Sequence, residues 1–249
     1  MLTQNAYFSK IIAFVNQKGG VGKSTLATNV AAILSEKYRC VLLDTDEQGS
    51  SELWCNARDE EFAESYKVRG FSKHYKKTVN ASAVTIDLED IAASCDVVVV
   101  DTPGRNEFLS LGVISAANLV IIPLTPGNYS LWSSDATMQL IQKVAAIRSN
   151  DFAARFLLNR RDNRKVSDEM QGALREYDVP LMKATIGNRN IYESSSIGQS
   201  VLELPARTAS DREGQREMRV LVEEITELIG IKPNANKRSV SPINKEAKI

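Results

Sequence analysis

The sequence predicts an α/β fold: a mostly parallel twisted sheet with helices on both faces. Three observations lead there. Short apolar runs rich in β-branched residues recur along the chain, with amphipathic stretches between them. Two of those runs, Arg39-Cys-Val-Leu-Leu-Asp44 and Cys95-Asp-Val-Val-Val-Val-Asp101, end in an aspartate. A third, Lys10-Ile-Ile-Ala-Phe-Val15, runs straight into the glycine-rich string Asn16-Gln-Lys-Gly-Gly-Val-Gly-Lys-Ser-Thr25.

That string is the first element to justify. Leu26, Val30, Ile33 and Leu34 form the apolar stripe of a helix over 26–37, so a strand feeds a helix through a Gly-rich turn ending in Gly-Lys-Ser. This is the context of a P-loop, and hence of a P-loop NTPase. Gly19, Gly20 and Gly22 let backbone N–H groups curl around phosphate oxygens, with Val21 between them and Thr25 closing the stretch. The helix N-terminus adds partial positive charge. Lys23 is expected on the β- and γ-phosphates of a nucleotide, and the Ser24 hydroxyl on Mg²⁺.

The loop departs from the general pattern. Position 17 is Gln where Gly is usual, and position 18 is a second lysine. Lys-Gly-Gly-Val-Gly-Lys-Ser resembles the deviant Walker A motif of the ParA/MinD family of ATPases. The resemblance implies that Lys18 reaches across a dimer interface to the partner's nucleotide.

The chain is then read in order. About ten residues precede the first strand, which predicts no N-terminal helix-turn-helix and no operator-specific DNA binding. The second strand ends in Asp44-Thr-Asp-Glu-Gln-Gly-Ser-Ser51. Ligands of open α/β sheets bind at the carboxyl ends of strands, so these acids emerge beside the phosphates. The string resembles the family's Asp-x-Asp-x-Gln motif, with Glu47 in place of the usual Pro. The resemblance implies that Asp46 orients the attacking water and that Asp44 supports the Mg²⁺ shell. A helix is expected over 52–64. Over 67–77, basic residues interleave with Tyr66, Phe71 and Tyr75, which reads as a nucleic-acid surface or as a plain solvated element. His74 is the only histidine and is given no catalytic role.

The run ending at Asp101 is a Walker B pattern, whose carboxylate completes Mg²⁺ binding. Thr102-Pro-Gly104 follows where P-loop switches sense the γ-phosphate, with Gly104 and Arg105 as local departures from the family. Residues 118–124 read as another strand ending at Pro123, and 129–149 as a long helix. Arg155-Phe-Leu-Leu-Asn159 is a further strand, and Asn159 falls where the family places its adenine contacts. A helix over 166–177 and a strand over 181–186 follow. Thr185-Ile-Gly-Asn-Arg189 resembles the family's C-terminal signature, which makes Arg189 the candidate for non-specific DNA binding. The plain alternative is a surface arginine paired with a nearby carboxylate. Residues 211–230 form the last helix, with Met218, Leu221, Val222, Ile225, Leu228 and Ile229 in one stripe.

Residues 1–230 thus read as one domain, and the basic stretch 231–249, without apolar period, as a disordered tail. Formal net charge is zero, so nucleic-acid binding must come from a local patch. Three cysteines without metal-type spacing suit a reducing cytoplasm, with Cys40 and Cys95 in the core. No run approaches the length needed to span a membrane.

Together the motifs imply a small ParA-type ATPase, cytoplasmic and nucleoid-associated. It would form a homodimer with ATP sandwiched, bind DNA non-specifically in that state, and be stimulated by a ParB-like or other adaptor while positioning cargo. An ATP-assembled scaffold in conjugative DNA transfer is the alternative. A MinD-type membrane switch needs an apolar–basic terminal helix that 234–249 lacks. An iron–sulfur electron carrier needs cysteines just after the Asp101 strand, and none is there.

Overall fold

Strands made almost wholly of Val, Ile and Leu can be buried only between two layers, which a parallel sheet supplies by carrying its crossover helices on both faces. The computed structural model describes residues 9–58, 69–72, 80–104, 106–126, 135–148, 152–161, 174 and 177–232. Its strands are β1 (Lys10–Phe14), β2 (Cys40–Asp44), β3 (Arg69–Ser72), β4 (Val97–Asp101), β5 (Leu119–Leu124), β6 (Ala153–Arg161) and β7 (Leu181–Gly187). They form one sheet in the order β3-β2-β4-β1-β5-β6-β7, and every pairing is parallel. β1 lies between β4 and β5, so the glycine-rich turn leaves the centre of the sheet.

Period-2 alternation sends side chains to two cores. Ile11, Ala13, Val98 and Val100 face one side, under α3 (Ala81–Ala92), α4 (Glu107–Ala116) and α5 (Asp135–Ile147). Ile12, Phe14, Val97 and Val99 face the other, under α1 (Lys23–Ser35), α2 (Ser50–Asn56), α6 (Asn190–Ser194) and α7 (Ala209–Ile229). α1 is buried on almost every side, and even Thr28 and Asn29 are enclosed. α7 buries Met218, Leu221, Val222, Ile225 and Ile229, as its stripe requires, while Leu228 is partly buried. A capping box of Thr208 and Asp211 starts α7, and Gly230, at φ 63°, ends it.

Pro123 is tolerated in a central strand because β1 stops pairing with β5 at Phe14↔Ile121. Its missing N–H falls beyond that last pair, and its carbonyl accepts the Asn16 amide at 2.9 Å.

Several elements were not foreseen. β3 adds an edge strand beside β2 inside the stretch read as a basic–aromatic surface. α3 and α4 start on Asn80 and Asn106, each side chain accepting a backbone N–H three residues on. α6 is a third unforeseen helix. The helix expected over 52–64 is seen as α2 up to Asn56, and 59–64 lie outside the described residues. The same holds for Arg105, for 127–134 ahead of α5, for most of the 166–177 helix, and for the tail from 233 onward. Cys40 and Cys95 are buried, as expected, and Cys55 is half-buried; all three are free thiols. No described helix is long and apolar enough to cross a membrane.

Candidate functional site

The turn after β1 is built from the backbone outward. Gly20 and Gly22 sit at φ 74° and 90°, in the left-handed region that a side chain disfavours. Gly22 has a second reason to lack a side chain: a Cβ there would collide with the amide of Asn159. The loop's entry is pinned from within. The Asn16 amide donates to the Pro123 carbonyl, and its Oδ1 accepts the Lys18 N–H at 2.9 Å. The Gln17 N–H donates to Thr137 Oγ1 of α5 at 3.2 Å.

Lys23 turns back over this loop, and its Nζ donates to the Lys18 carbonyl at 3.3 Å. Burial pushes its pKa down, and the charges of Asp101 and Asp46 partly restore it. Lys18 is half-buried, and its ammonium makes no hydrogen bond or ion pair to the described residues. Gly104 brings the segment after β4 onto the loop: a Cβ there would lie 3.3 Å from the Gln17 carbonyl and 3.7 Å from the Gly19 nitrogen.

The acids stand at the same edge. Asp44 and Asp101 are register partners on β2 and β4, but their surroundings differ. Asp44 turns both oxygens onto backbone N–H groups, of Asp46 at 2.9 Å, Ser51 at 2.8 Å and Glu52 at 2.9 Å. It therefore shapes the 46–52 loop, and its carboxylate is already engaged. Asp46 makes a tight turn, accepting the Gln48 N–H at 3.1 Å on its side chain and the Gly49 N–H at 2.9 Å on its carbonyl.

Asp101 is fully enclosed. Its Oδ2 accepts the Ser51 hydroxyl at 2.7 Å, while Oδ1 is buried with no hydrogen-bond partner. Burial pushes its pKa up to about 7, against the lowering effect of the Ser24 and Ser51 hydroxyls; the Asp44 charge raises it and Lys23 lowers it. A bare buried carboxylate oxygen costs stability unless something binds it. A Mg²⁺ ion fits that requirement, since Ser24 and Asp101 supply hard oxygens. Among the described residues no group of three or more His, Cys, Asp or Glu forms a full cage. Mg²⁺ does not need one: it takes few carboxylates and fills its sphere with water and phosphates.

On the opposite flank of the loop lies a cavity of about 260 Å³, lined by Gly22, Thr25, Leu26, Asn159, Arg160 and Asn188 among others. Asn159 is buried, donates to the Val21 carbonyl at 2.7 Å and accepts the Arg160 N–H at 2.9 Å. Arg160 itself takes φ 53°. Arg189 reaches the rim of this cavity but is held by Glu217 in a bidentate pair, Nε at 3.0 Å and Nη2 at 2.7 Å, with Nη1 3.3 Å from Ser210 Oγ. The plain alternative for Arg189, a paired surface arginine, is thus seen directly. A second, more open cavity of about 690 Å³ lies toward Gln17, Gly19, Asp46, Gln48, Gly104 and Phe108.

The structure gathers Lys18, Gly19 through Thr25, Asp46, Asp101 and Asn159 around one loop. Asn16, Thr137, Ser51 and Glu217 were not foreseen. Asn16 and Ser51 flank motifs that were recognised, so proximity was the one available signal; Thr137 and Glu217 carry none.

A parallel sheet with a phosphate loop at its centre and a Mg²⁺-competent acid on the next strand defines a P-loop nucleotide-binding ATPase. Residues 12–201 match the CobQ/CobB/MinD/ParA nucleotide binding domain, and the chain belongs to that family. The matched domain is a nucleotide-binding one. It is 30% identical over 223 residues to "Maintenance of carboxysome distribution protein A" of Gloeobacter kilaueensis, covering 88% of this chain and 94% of the relative. It is 27% identical to "Chromosome-partitioning ATPase Soj" of Thermus thermophilus, covering 86% and 94% respectively. The fold matches the septum site-determining protein MinD of Pyrococcus horikoshii, solved with Mg-ADP, at a TM-score of 0.67 and 19% identity over 89% of this chain and 98% of that one.

Proposed function

We propose that this chain is an ATP-gated dimer that binds DNA non-specifically and positions a cargo, with hydrolysis stimulated by an adaptor protein. The observation that carries this reading is the unequal state of the two loop lysines. Lys23 is folded back into its own cradle, whereas the Lys18 ammonium is engaged by no described residue and remains for a second subunit. The relatives support positioning as the task, one named for carboxysome distribution and one for chromosome partitioning.

In this reading the backbone from Gly19 to Thr25 binds phosphate oxygens, and Lys23 neutralises them in a site where burial strengthens the interaction. Asn159 and the cavity beside it take the adenine side. Ser24 and Asp101 would hold Mg²⁺, which would supply charge stabilisation to the phosphates when bound. Asp46 orients the attacking water, and Asp44 keeps the Asp46 loop in place through its backbone bonds. Lys18 touches the partner's phosphates, so loss of the γ-phosphate opens the interface. Arg189, doubled by dimerisation, meets DNA phosphates.

A second reading, an ATP-assembled scaffold in conjugative DNA transfer that does not bind DNA through Arg189, draws on the Arg189–Glu217 pair, which already occupies the guanidinium. Sedimentation of the Lys18→Ala variant with a slowly hydrolysed ATP analogue tests the dimer. The variant should bind nucleotide and stay monomeric; dimerisation like the parent's would remove Lys18 from the interface.

A further inference from the structure

Ser51 touches the site without belonging to any motif. It is fully buried at the start of α2, and its hydroxyl donates to Asp101 Oδ2 at 2.7 Å. The neighbouring Ser50 is exposed, so only the second residue of the Ser-Ser pair points inward. A carboxylate at the end of a strand can turn about its last bond and offer either oxygen. With Oδ2 taken by Ser51, Oδ1 is the oxygen left; it is buried and accepts no hydrogen bond of normal geometry, with the Ser24 hydroxyl, the other metal candidate, beside the carboxyl.

The mount of Ser51 is stiff. Its own N–H and that of Glu52 both donate to Asp44 Oδ2, at 2.8 and 2.9 Å. Further along, the Trp54 indole donates to the Ser195 carbonyl at 2.7 Å, and Arg58, just past α2, donates to the Gly198 carbonyl at 3.0 Å and pairs with Glu203 at 2.6 Å. α2 is thus held at its start by one carboxylate and at its end by the 195–203 segment. The hydroxyl has little freedom to follow Asp101 if that side chain turns.

We propose that Ser51 is a positioning residue for the metal site: by occupying Asp101 Oδ2 it aims Oδ1 at Mg²⁺. This rests on Asp101 being the metal carboxylate. Groups that orient a metal ligand in this way typically change metal affinity by about 10–100-fold when removed.

The test is calorimetric titration of MgCl₂ into the protein–ADP complex, comparing the parent with Ser51→Ala, Ser50→Ala and Asp101→Asn. Each variant is also titrated with ADP in EDTA. Ser51→Ala should bind Mg²⁺ roughly tenfold more weakly, with ADP affinity in EDTA unchanged and Ser50→Ala like the parent. If Asp101→Asn weakens Mg²⁺ but Ser51→Ala does not, the role of Ser51 is wrong and the reading of Asp101 stands. If Asp101→Asn also leaves Mg²⁺ affinity unchanged, the metal reading itself falls, and Ser51 with it. An equal loss of ADP affinity in EDTA for Ser51→Ala would mark general damage to the loop and overturn the proposal.

Discussion

Asp44 and Asp101 stand side by side in register at the ends of β2 and β4, yet Asp44 accepts three backbone N–H groups while Asp101 leaves one buried oxygen bare. The sheet places two like acids together, and the loops decide what each one does. Asp44 is a structural acceptor for the loop, and Asp101 is the acid with capacity left for a cation.

That difference has a pH consequence. Burial, opposed by two hydroxyls, keeps the native Asp101 carboxyl protonated up to about 7, whereas an unfolded aspartate ionises near 4. Between those values the native state binds more protons than the unfolded one. Metal-free stability from this group is therefore present below about 4 and is lost as pH rises toward about 7. Thermal midpoints measured in EDTA from pH 4.5 to 8, for the parent and Asp101→Asn, check this; those pH settings span the window roughly. The parent should lose more than the variant as pH rises, and Mg²⁺ with ADP should offset the loss. Parallel curves would refute it.

The loop geometry makes Gly22 irreplaceable. Gly22→Ala must strain a left-handed φ of 90° and push aside the Asn159 amide, which holds the Val21 carbonyl. Equilibrium binding of a fluorescent ATP analogue should fall below detection, while the far-UV circular dichroism stays like the parent's. Binding within a fewfold of the parent would show that the loop tolerates the side chain.

Hydrolysis and binding should separate at Asp46. Asp46→Ala removes a carboxylate from a turn beside the loop but no part of the phosphate cradle. It should bind ATP and dimerise, yet release phosphate at least tenfold more slowly, a loss typical of removing a positioned base. Unchanged phosphate release would take Asp46 out of the reaction.

Stability has its own weak point at Arg58. Its pair with Glu203 is almost fully buried, with side-chain exposures of 4% and 1%, and its guanidinium lies 4.7 Å over the Trp54 ring. Arg58→Ala would leave Glu203 charged, enclosed and without its main partner. The expected loss is about 3–5 kcal/mol in urea denaturation. A loss under about 1 kcal/mol, typical of an exposed pair, would contradict the buried geometry.

Much of the site was legible because its chemistry is contiguous. The stretch 16–25 carries the phosphate loop, and the strand ends at Asp44 and Asp101 follow from apolar runs stopped by an acid. What escaped lacks a local pattern. α3 buries only Val84, Leu88 and Ala92, a stripe too sparse to stand out. α4 is apolar on most sides and contains Gly112, whose missing Cβ is explained by close contact with the Ala81 carbonyl and Val84. The 4-residue β3 depends on its pairing with β2. Ser51 and Glu217 act on partners 50 and 28 residues away, which no spacing rule links. The Arg189 motif was recognised, but its engagement by Glu217 could be seen only in three dimensions.

The central claim is that ATP, and not DNA sequence, controls DNA binding through Arg189. The most direct measurement is fluorescence anisotropy of two unrelated duplexes, with ADP and with ATP, across a salt series. Binding should require ATP, treat both duplexes alike and weaken steeply with salt, at a log–log slope of about −0.9 per phosphate neutralised. Arg189→Ala should weaken both duplexes equally and make the slope shallower by roughly one unit per subunit engaged. Equal affinity in ADP and ATP, or a strong preference for one duplex, would contradict the account.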